Sequence, residues 1–546
     1  MFGCAPPDEG SSAPAAIASA HPLATQAGME ILTTGGNAFD AAVAVSAVLA
    51  VVEPYSSGIG GGGFWLLHRA SDGLDVMVDG RERAPLAATP DMYLDEAGEV
   101  VPGLSITGAL AAGIPGEPAA LVHIAERYGR LPLAELLAPA IQIAREGFSV
   151  DEYYRRMAQF RLDAIQEDDE TASIFLYDDE LPDVGHTITQ PDLALTLQAL
   201  ATEGRAGFYQ GKLAKQLLDG VRNAGGIWAR ADLDQYRVVE RKPIVGQYRD
   251  MRIVSAAPPS SGGVALLTML NILSGFPLQD LDSVDRAHVI VEAMRRAYRD
   301  RAEFLGDPDF YEVPVAQLIS VANADALRAS IEMEHATPST DLPAVTTPPE
   351  GNHTTHFSIL DRDGNRVAAT LSINYPFGAC FTPPGTGVLL NDELDDFSAK
   401  PGVPNAYGLV GAEANAIAPG KRPLSSMSPA FIESSNGIAI LGTPGGSRII
   451  TMVLLGILDM AEGNRPASWV SRRRFHHQYL PDVVLYEADA FSENVVTGLQ
   501  DLGHRLKLLD STYGNMQAIY FDRDSGVVYA ASDPRGIGKS IVSATE

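Results

Sequence analysis

The chain has 546 residues, of which 46% are hydrophobic and 20% charged, a composition typical of folded globular proteins that excludes disorder of the whole chain. Asp and Glu number 69 against 40 Lys and Arg, which gives a formal net charge of −29 at pH 7. A surface of this sign repels phosphate backbones, so we expect no nucleic acid partner.

The two cysteines, Cys4 and Cys380, indicate neither a disulfide framework nor a zinc site, because no Cys-x-x-Cys or Cys/His spacing is present. Cys4 lies in a tail, residues 1–16, that resembles the lipidation site and tether of a bacterial lipoprotein. We therefore expect the bacterial periplasm or cell envelope, with a lipid anchor at Cys4; an incidental cysteine is the alternative. The apolar run at 41–52 is well short of the roughly 20 residues that span a bilayer and predicts a buried helix.

The first two-thirds of the chain are predicted to be mainly helical. One helix is expected at 21–33, and Asn37 is expected to cap a second that ends before Pro54. Two strands are expected at 64–67 and 76–78, and amphipathic helices dominate from 118 to 328.

A proline-rich stretch, residues 335–353, predicts an exposed loop because it has almost nothing to bury. The segments 355–360 and 366–372, joined by the turn 361–365, predict a β-hairpin directly after it. Thr354 is therefore expected where a loop enters a buried strand.

A second strand-to-helix junction is predicted further on, with a strand at 438–441, a glycine-rich turn at 442–447 and an apolar helix at 448–460. The backbone N–H groups of such a turn are well placed to hold negative charge. Helices before and between hairpins indicate a layered α/β fold.

Several familiar motifs fail in their context. The run at 58–63 satisfies G-x-G-x-x-G, but a helix precedes it and a strand follows, the reverse of the dinucleotide-binding order. A phosphate loop ending at 536–540 would need glycine where Asp533 stands. His476 and His477 are adjacent and point apart on a regular element, so we read them as core or surface residues. We expect no metal and no organic cofactor.

The residues 352–356, NHTTH, resemble the processing site of the γ-glutamyltranspeptidase family. The resemblance continues in order along nearly all of the chain after the tail, through ASAHPLATQAG at 18–28, GGNAFDAAVA at 35–44, GGGGF at 60–64, RERAP at 81–85, PPSSGG at 258–263, GDPDF at 306–310, NDELDDFS at 391–398, RPLSSMSP at 422–429, GTPGGSR at 442–448 and RFHHQ at 474–478. It implies an N-terminal-nucleophile αββα sandwich, one unit made of a large subunit, 17–353, and a small subunit, 354–546.

The chemistry of Thr354 agrees with that resemblance. A threonine hydroxyl is a poor nucleophile without an adjacent base, and cleavage before Thr354 supplies one in its own α-amine. An α-amine titrates near 7.7 to 8.0, so about a tenth is neutral at pH 7. The resemblance further implies that Ser372, where the family usually has threonine, bonds this amine, and that the N–H groups of Gly445 and Gly446 form the oxyanion hole.

The family resemblance also assigns the pocket for the donor's α-amino acid group. Its α-carboxylate would be bound by Arg81, Ser425 and Ser426, and its α-ammonium by Asn374, Glu393 and Asp396. Without the resemblance, the acidic run 392–396 would be interpreted as a solvated surface. The segment 405–411 is similar to the family's lid, with Tyr407 as the cover residue; Cys380 departs from an expected glycine without explanation.

These observations predict γ-glutamyl acyl transfer after self-cleavage between His353 and Thr354. The substrates would be glutathione and other γ-glutamyl amides, with water, amino acids or dipeptides as acceptors, and the two subunits would come from the same precursor. One alternative is an acylase of the same family that acts on glutaryl or cephalosporin-type amides. The residues Asn374, Glu393 and Asp396 speak against it, because a glutaryl group has no α-ammonium for them to bind. Another is an unprocessed, non-catalytic envelope protein.

Overall fold

The protein is described by a computed structural model that covers residues 14–341, 354–398, 400 and 411–544. Cys4, His353 and Tyr407 lie outside these described residues, as do most of the predicted loop before Thr354 and most of the predicted lid. None of the described helices combines the length and the apolar character needed to cross a membrane.

The helices lie mainly in the first two-thirds of the chain, as predicted. Their bounds are α1 Pro22–Thr33, α2 Ala38–Val52, α3 Glu117–Tyr128, α4 Leu133–Glu146, α5 Glu152–Gln166, α6 Asp169–Phe175, α7 Pro191–Glu203, α8 Arg205–Tyr209, α9 Gly211–Asn223, α10 Arg230–Gln235, α11 Gly262–Leu273, α12 Ser283–Phe304, α13 Val315–Leu318, α14 Val321–Ala329, α15 Ile449–Ala461, α16 Pro466–Ser471 and α17 Glu493–Asp501.

The strands are distributed along the whole described chain. Their bounds are β1 Ala16–Ser19, β2 Gly62–Arg69, β3 Leu74–Gly80, β4 Phe148–Ser149, β5 Thr187–Ile188, β6 Val239–Arg241, β7 Ile244–Tyr248, β8 Met251–Ser255, β9 Thr355–Leu360, β10 Arg366–Ser372, β11 Ala430–Glu433, β12 Gly437–Gly442, β13 Phe475–His476, β14 Val484–Tyr486, β15 Leu506–Leu508, β16 Gln517–Asp522, β17 Val528–Ser532 and β18 Lys539–Val542.

Two antiparallel sheets form the centre of the molecule. Within the described residues the first has seven strands in the order β18-β1-β9-β10-β2-β3-β6, and the second has six in the order β17-β16-β12-β11-β8-β7. Successive side chains of a strand point to opposite faces. Thus Trp65 and Leu67 join the core that contains α1, α2 and α4, whereas Phe64 and Leu66 join the core shared with the second sheet, α11, α12 and α15. The predicted αββα sandwich is confirmed.

The predicted subunits are interleaved within both sheets. β9 lies between β1 and β10, and β10 pairs with β2, so strands from either side of the predicted cleavage site alternate. In the second sheet β11 pairs with β8 in the same way. Cleavage before Thr354 would therefore leave two fragments held together by sheet hydrogen bonds and a common core.

The structure agrees with the hairpin bounds 355–360 and 366–372 and with the capping of α2. Asn37 accepts hydrogen bonds from Phe39 and Asp40, and the Asp40 carboxylate accepts one from the backbone of Asn37. The predicted helix at 448–460 begins one residue later, at Ile449, after a 3₁₀ turn at Gly446–Arg448.

The predicted tail extends one residue too far, because Ala16 is fully buried in β1. The region predicted to be mainly helical is so, but it also contains short strands that were not predicted, among them β6, β7 and β8. Each of these strands has at most five residues, too few for a two-residue period to stand out from neighbouring helical patterns. β1, β6 and β8 pair with strands that are distant in the sequence, and β7 pairs with β8 in a hairpin.

The glycine-rich segment 58–63 forms the structural turn that its context predicts. Gly60 forms a bridge with Leu390, and a Cβ atom on Gly60 would lie 2.1 Å from the carbonyl oxygen of Leu389. Only glycine permits this backbone approach, which brings the acidic segment after Leu390 against the start of β2.

Candidate active site

Thr354 is buried immediately before β9 and lines a small cavity of about 20 Å³. That cavity contains most of the predicted site residues, and its lining is Thr354, Ser372, Asn374, Glu393, Asp396, Ser425, Ser426, Met427, Gly446, Ser447 and Ile449. They come from segments that are far apart in the sequence and meet where the two sheets end.

Sheet register places Ser372 beside Thr354. Leu371 pairs with Thr355 across the β9–β10 hairpin, so the next residue of β10 lies opposite the residue that precedes β9. The hydroxyl oxygen of Ser372 accepts a hydrogen bond of 2.8 Å from the backbone N–H of Asn374. The two hydroxyl side chains therefore share one end of the hairpin.

The turn at Gly445 and Gly446 leads from β12 into α15. Gly445 has φ 141° and Gly446 has φ 53°, values in the left-handed region that glycine adopts without a side-chain clash. Gly446 starts the 3₁₀ turn that precedes α15 and lines the Thr354 cavity. Backbone N–H groups and the positive end of the helix dipole lie at the N-terminus of a helix, so this turn can stabilise negative charge on an oxygen near Thr354.

Arg81 is fully buried at the centre of an acidic cluster. Its guanidinium forms ion pairs with Glu393 and Asp396 and lies 3.5 Å from Glu82. Burial by itself lowers the pKa of Arg81, but Glu393, Asp396 and Glu82 more than offset this and raise it above its ordinary value. Arg81 therefore stays cationic beside the Thr354 cavity.

The carboxyl groups of this cluster hold protons more tightly than usual. Burial, partly offset by Arg81, raises the pKa of Glu393 to about 7. The pKa of Asp396 is raised for the same reason, and that of Glu82 lies well above its usual value because of burial and the nearby Glu393. The acidic run 392–396 is thus a buried part of the site and not the solvated surface that its composition alone suggests.

Ser425 and Ser426 are held against the start of α11. The backbone N–H of Ser425 donates to the carbonyl of Pro259, and the carbonyl of Ser425 accepts from the backbone N–H of Ser261. Asn374, on the other wall, has φ 73° and donates its side-chain amide to the carbonyl of Asp392 at 3.1 Å.

Sequence reasoning missed Arg301, which is buried on α12. Its Nη2 donates to the hydroxyl of Ser426 at 3.2 Å, and burial lowers its pKa to about 10. An arginine in a long amphipathic helix gives no signal of its own that it points towards a distant serine. Arg301 adds a second guanidinium at the serine side of the cavity.

Two buried histidines, His356 and His476, are neutral at pH 7. Burial lowers the pKa of His356 to about 3, and its Nδ1 hydrogen-bonds the hydroxyl of Thr370 at 2.8 Å. His476 is similar, with a pKa lowered to about 3, and it hydrogen-bonds Thr451 and Gln478. These contacts give both rings a structural role.

One cluster of metal-ligand type occurs among the described residues, formed by His288, Glu292 and His504. The two imidazoles hydrogen-bond each other at 2.8 Å, and Glu292 forms ion pairs with Arg295 and Arg296. Two guanidinium groups at the only carboxylate of the cluster disfavour an additional cation.

Cys380 is buried and does not line the Thr354 cavity. Burial raises the pKa of its thiol to about 11. The thiolate is the reactive form, so Cys380 is not a reactive thiol at neutral pH.

Two packed antiparallel sheets between helical layers, with a threonine at the start of a central strand, define the class of N-terminal-nucleophile hydrolases. The solved structure of cephalosporin acylase from Bacillus halodurans has this fold, with a TM-score of 0.85, 28% identity and 99% of each chain covered.

The family model described as gamma-glutamyltranspeptidase matches residues 24–543. The chain is 44% identical over 498 residues to the glutathione hydrolase proenzyme of Pseudomonas sp. (strain A14), covering 90% of this chain and 86% of the relative. It is 41% identical over 527 residues to the glutathione hydrolase proenzyme of Escherichia coli (strain K12), covering 95% and 90%. The chain belongs to the γ-glutamyltranspeptidase family.

Proposed function

We propose that the chain is a proenzyme that cleaves itself between His353 and Thr354 and then transfers γ-glutamyl groups from glutathione and related amides. Water, amino acids and dipeptides are the acceptors. The observation that carries this proposal is that Thr354, a glycine turn and the two carboxylates that pair with Arg81 line one cavity.

Thr354 is the proposed nucleophile in both reactions. In processing, its hydroxyl attacks the carbonyl of His353 and the peptide bond breaks, which frees the Thr354 α-amine. In catalysis, that amine takes the proton of the hydroxyl as Oγ attacks the γ-carbonyl, and returns it to the leaving nitrogen. The hydroxyl of Ser372, opposite Thr354 in the hairpin, is placed to orient the amine.

The turn at Gly445 and Gly446 is the proposed oxyanion hole. As Oγ adds to the γ-carbonyl, the carbonyl oxygen gains negative charge. Preorganised backbone N–H groups stabilise that charge without reorganisation, and each donor of such a hole contributes roughly 10² to 10³ in rate. The positive end of α15 adds to the same field.

The donor pocket suits a zwitterionic α-amino acid. Its carboxylate would bind Arg81 together with Ser425 and Ser426, and its ammonium would bind Glu393, Asp396 and Asn374. Such a group adds one negative and one positive charge, so it extends the Arg81 network without leaving a buried charge unpaired.

Glutaryl or cephalosporin-type amides are the weaker alternative donors, although the structurally similar Bacillus halodurans protein is named a cephalosporin acylase. A glutaryl group has no ammonium, so Glu393 and Asp396 would have no new partner while Arg81 gained a carboxylate. The cluster therefore favours the γ-glutamyl donor.

The subunit division and the location are also proposals. We propose a tail that ends before β1, a large subunit to residue 353 and a small subunit from Thr354, acting in the bacterial periplasm or envelope with a lipid anchor at Cys4. Radiolabelled palmitate incorporated into the wild type and not into Cys4→Ala would support the anchor. Equal labelling of both would contradict it.

The test of the function is γ-glutamyl-p-nitroanilide with purified protein. We expect two bands on a denaturing gel and release of p-nitroaniline, which speeds up when glycylglycine is added as acceptor. A single uncut band without activity would favour the non-catalytic alternative. Release from glutaryl-p-nitroanilide at an equal or higher rate would favour the acylase.

A further inference from the structure

Arg301, in the last turn of α12, is a buried arginine whose charge no carboxylate of the described residues pairs with. It is 4% exposed, and although burial lowers its pKa to about 10, it remains cationic at pH 7. The acid that acts on its charge is Asp396, which is itself paired with Arg81. Buried charges are costly without a partner, so an unpaired guanidinium next to a substrate cavity indicates an anionic ligand.

Arg301 donates hydrogen bonds to the hydroxyl groups of two serines. Its Nη2 donates to Ser426 Oγ at 3.2 Å, and its Nε donates to Ser261 Oγ at 3.0 Å. Ser261 in turn donates its hydroxyl proton to the carbonyl oxygen of Ser425 at 2.7 Å. Arg301 therefore holds both serines of the proposed carboxylate site, Ser426 through its hydroxyl and Ser425 through its backbone.

The contact with Arg301 determines where the hydroxyl proton of Ser426 can go. A guanidinium only donates, so the Ser426 oxygen accepts in this contact and cannot give its own proton to Arg301. Ser426 lines the Thr354 cavity, whereas Arg301 does not. The O–H of Ser426 is thus available to an oxygen atom in that cavity, and the adjacent positive charge strengthens such a hydrogen bond.

Arg301 reaches this position from a long helix that contacts the walls of the cavity at two points. Tyr298 of α12, three residues before Arg301 and on the same face, donates its hydroxyl to the carbonyl of Ser447. Ser447 and Ser426 both line the Thr354 cavity. A side chain that a helix supports in this way is preorganised for its ligand.

We propose that Arg301 is a positioning residue for the α-carboxylate of the donor and acts on it through the hydroxyl of Ser426. This inference rests on the proposed function and adds to it a second cation besides Arg81. Arg301 directs the Ser426 proton to the carboxylate, and its charge strengthens that hydrogen bond. A donor without an α-carboxylate gains neither effect, so Arg301 makes the site selective for donors that carry one.

The experiment compares two donors that differ only in the charge of this group, γ-glutamyl-p-nitroanilide and its α-carboxamide. The kcat and KM of each donor are measured with processed wild type and processed Arg301→Gln. We expect the variant to lower the carboxylate-to-carboxamide ratio of kcat/KM by about tenfold, as for the loss of one charge-assisted contact. The effect should lie in KM, because the carboxylate is bound alike in the ground state and the transition state.

Two further variants serve as references for Arg301→Gln. Arg301→Lys keeps the charge without the planar fork, so it should recover part of the lost ratio. Arg286→Gln, on the same helix but at an arginine paired with Glu462, is the matched control and should leave the ratio unchanged. Two bands on a denaturing gel show that a variant is processed.

A double-mutant cycle tests whether Arg301 acts through Ser426, and it needs γ-glutamyl-p-nitroanilide alone. We expect Arg301→Gln to lower kcat/KM by about tenfold in the wild type. In Ser426→Ala the same change should lower it by about threefold or less, because the hydroxyl that Arg301 orients is then absent.

Equal losses on both donors, or the full tenfold loss in the Ser426→Ala background, would overturn the proposed role of Arg301 and leave it a structural residue. Failure of both Arg301→Gln and Arg301→Lys to be processed would overturn that role as well. Absence of p-nitroaniline release by the wild type would instead contradict the proposed function itself.

Discussion

In the proposed mechanism Thr354 combines two roles in one residue, since the same hydroxyl would act in processing and in catalysis. We expect Thr354→Ala to remain a single chain on a denaturing gel and to release no p-nitroaniline, because the attacking oxygen is gone. Thr202→Ala, at an exposed threonine of α7, is the control and should be processed normally. Two fragments from Thr354→Ala at the wild-type rate would exclude self-cleavage by this hydroxyl.

Arg81 forms ion pairs with the carboxylates of Glu393 and Asp396, and the proposed donor would add a carboxylate of its own to these partners. Lysine keeps the charge but not the planar fork that binds a carboxylate at two points. We expect Arg81→Lys to be processed and to raise KM for γ-glutamyl-p-nitroanilide by about tenfold or more. Arg83→Lys is the matched control, since Arg83 donates instead to the carbonyl of Gly420. Unchanged kinetics in Arg81→Lys would remove Arg81 from the donor site.

Asp396 separates the γ-glutamyl donor from the glutaryl donor. If Asp396 binds the donor's ammonium, Asp396→Asn removes that counter-charge, a loss of about 2–5 kcal/mol, so kcat/KM on γ-glutamyl-p-nitroanilide should fall by roughly 30-fold or more. Glutaryl-p-nitroanilide, which has no ammonium, should lose far less. Asp395→Asn is the control, because Asp395 directly precedes Asp396 but accepts a hydrogen bond from the hydroxyl of Ser105. Equal losses on both substrates would show that Asp396 is structural.

At the scale of elements, the turn between β12 and α15 is the proposed oxyanion hole, and its backbone geometry depends on glycine. Alanine at the φ of 53° of Gly446 costs about 1 kcal/mol and displaces the N–H groups of the turn. We expect Gly446→Ala to lower the kcat of the processed enzyme by about 10²-fold. The two fragments of the processed variant should stay associated.

The control for that substitution is Gly463→Ala, which also has a positive φ, 88°, with open space around it after α15. Both variants should lose a similar amount of thermal stability, because both introduce the same kind of backbone strain. Only Gly446→Ala should lose kcat. Equal kcat in the two variants would contradict the assignment of the oxyanion hole.

At the scale of the whole molecule, the buried acid Glu53 connects the hydrophobic helix α2 to the nucleophile strand. Its carboxylate accepts a hydrogen bond of 2.7 Å from Thr355, and burial raises its pKa from 4.5 to about 7. A raised pKa means that the folded state binds the proton more tightly than the unfolded state. The stability that Glu53 contributes is therefore complete below about pH 4.5 and is lost as the pH rises through about 7.

Glu53→Gln tests this dependence, because glutamine keeps an acceptor for Thr355 and cannot ionise. At pH 8 we expect the free energy of unfolding of the variant to exceed that of the wild type by on the order of 3 kcal/mol, so the variant unfolds at a higher temperature. Near pH 5 we expect the two proteins to be equally stable. Thermal unfolding at both pH values measures the difference. Glu96→Gln, at an exposed position, should match the wild type at both. A pH-independent difference for Glu53→Gln would show that its ionisation does not limit stability.

Much of the fold was predictable because local signals were strong. The hairpin around Gly364, the cap at Asn37 and the apolar helix α15 each carry turn chemistry, capping chemistry or a periodic pattern within a few residues. β1 and β6 to β8 were not predictable, since such short strands are defined by the partners that they pair with.

By itself the sequence determined the family and the candidate site residues, because motifs such as the glycine turn and the run around Thr354 stand in order along the chain. It did not determine the environment of those residues. Only the tertiary structure decided that Glu393 is buried against Arg81 and that Arg301 reaches Ser426. Burial and through-space charge depend on segments hundreds of residues apart, which no local pattern encodes.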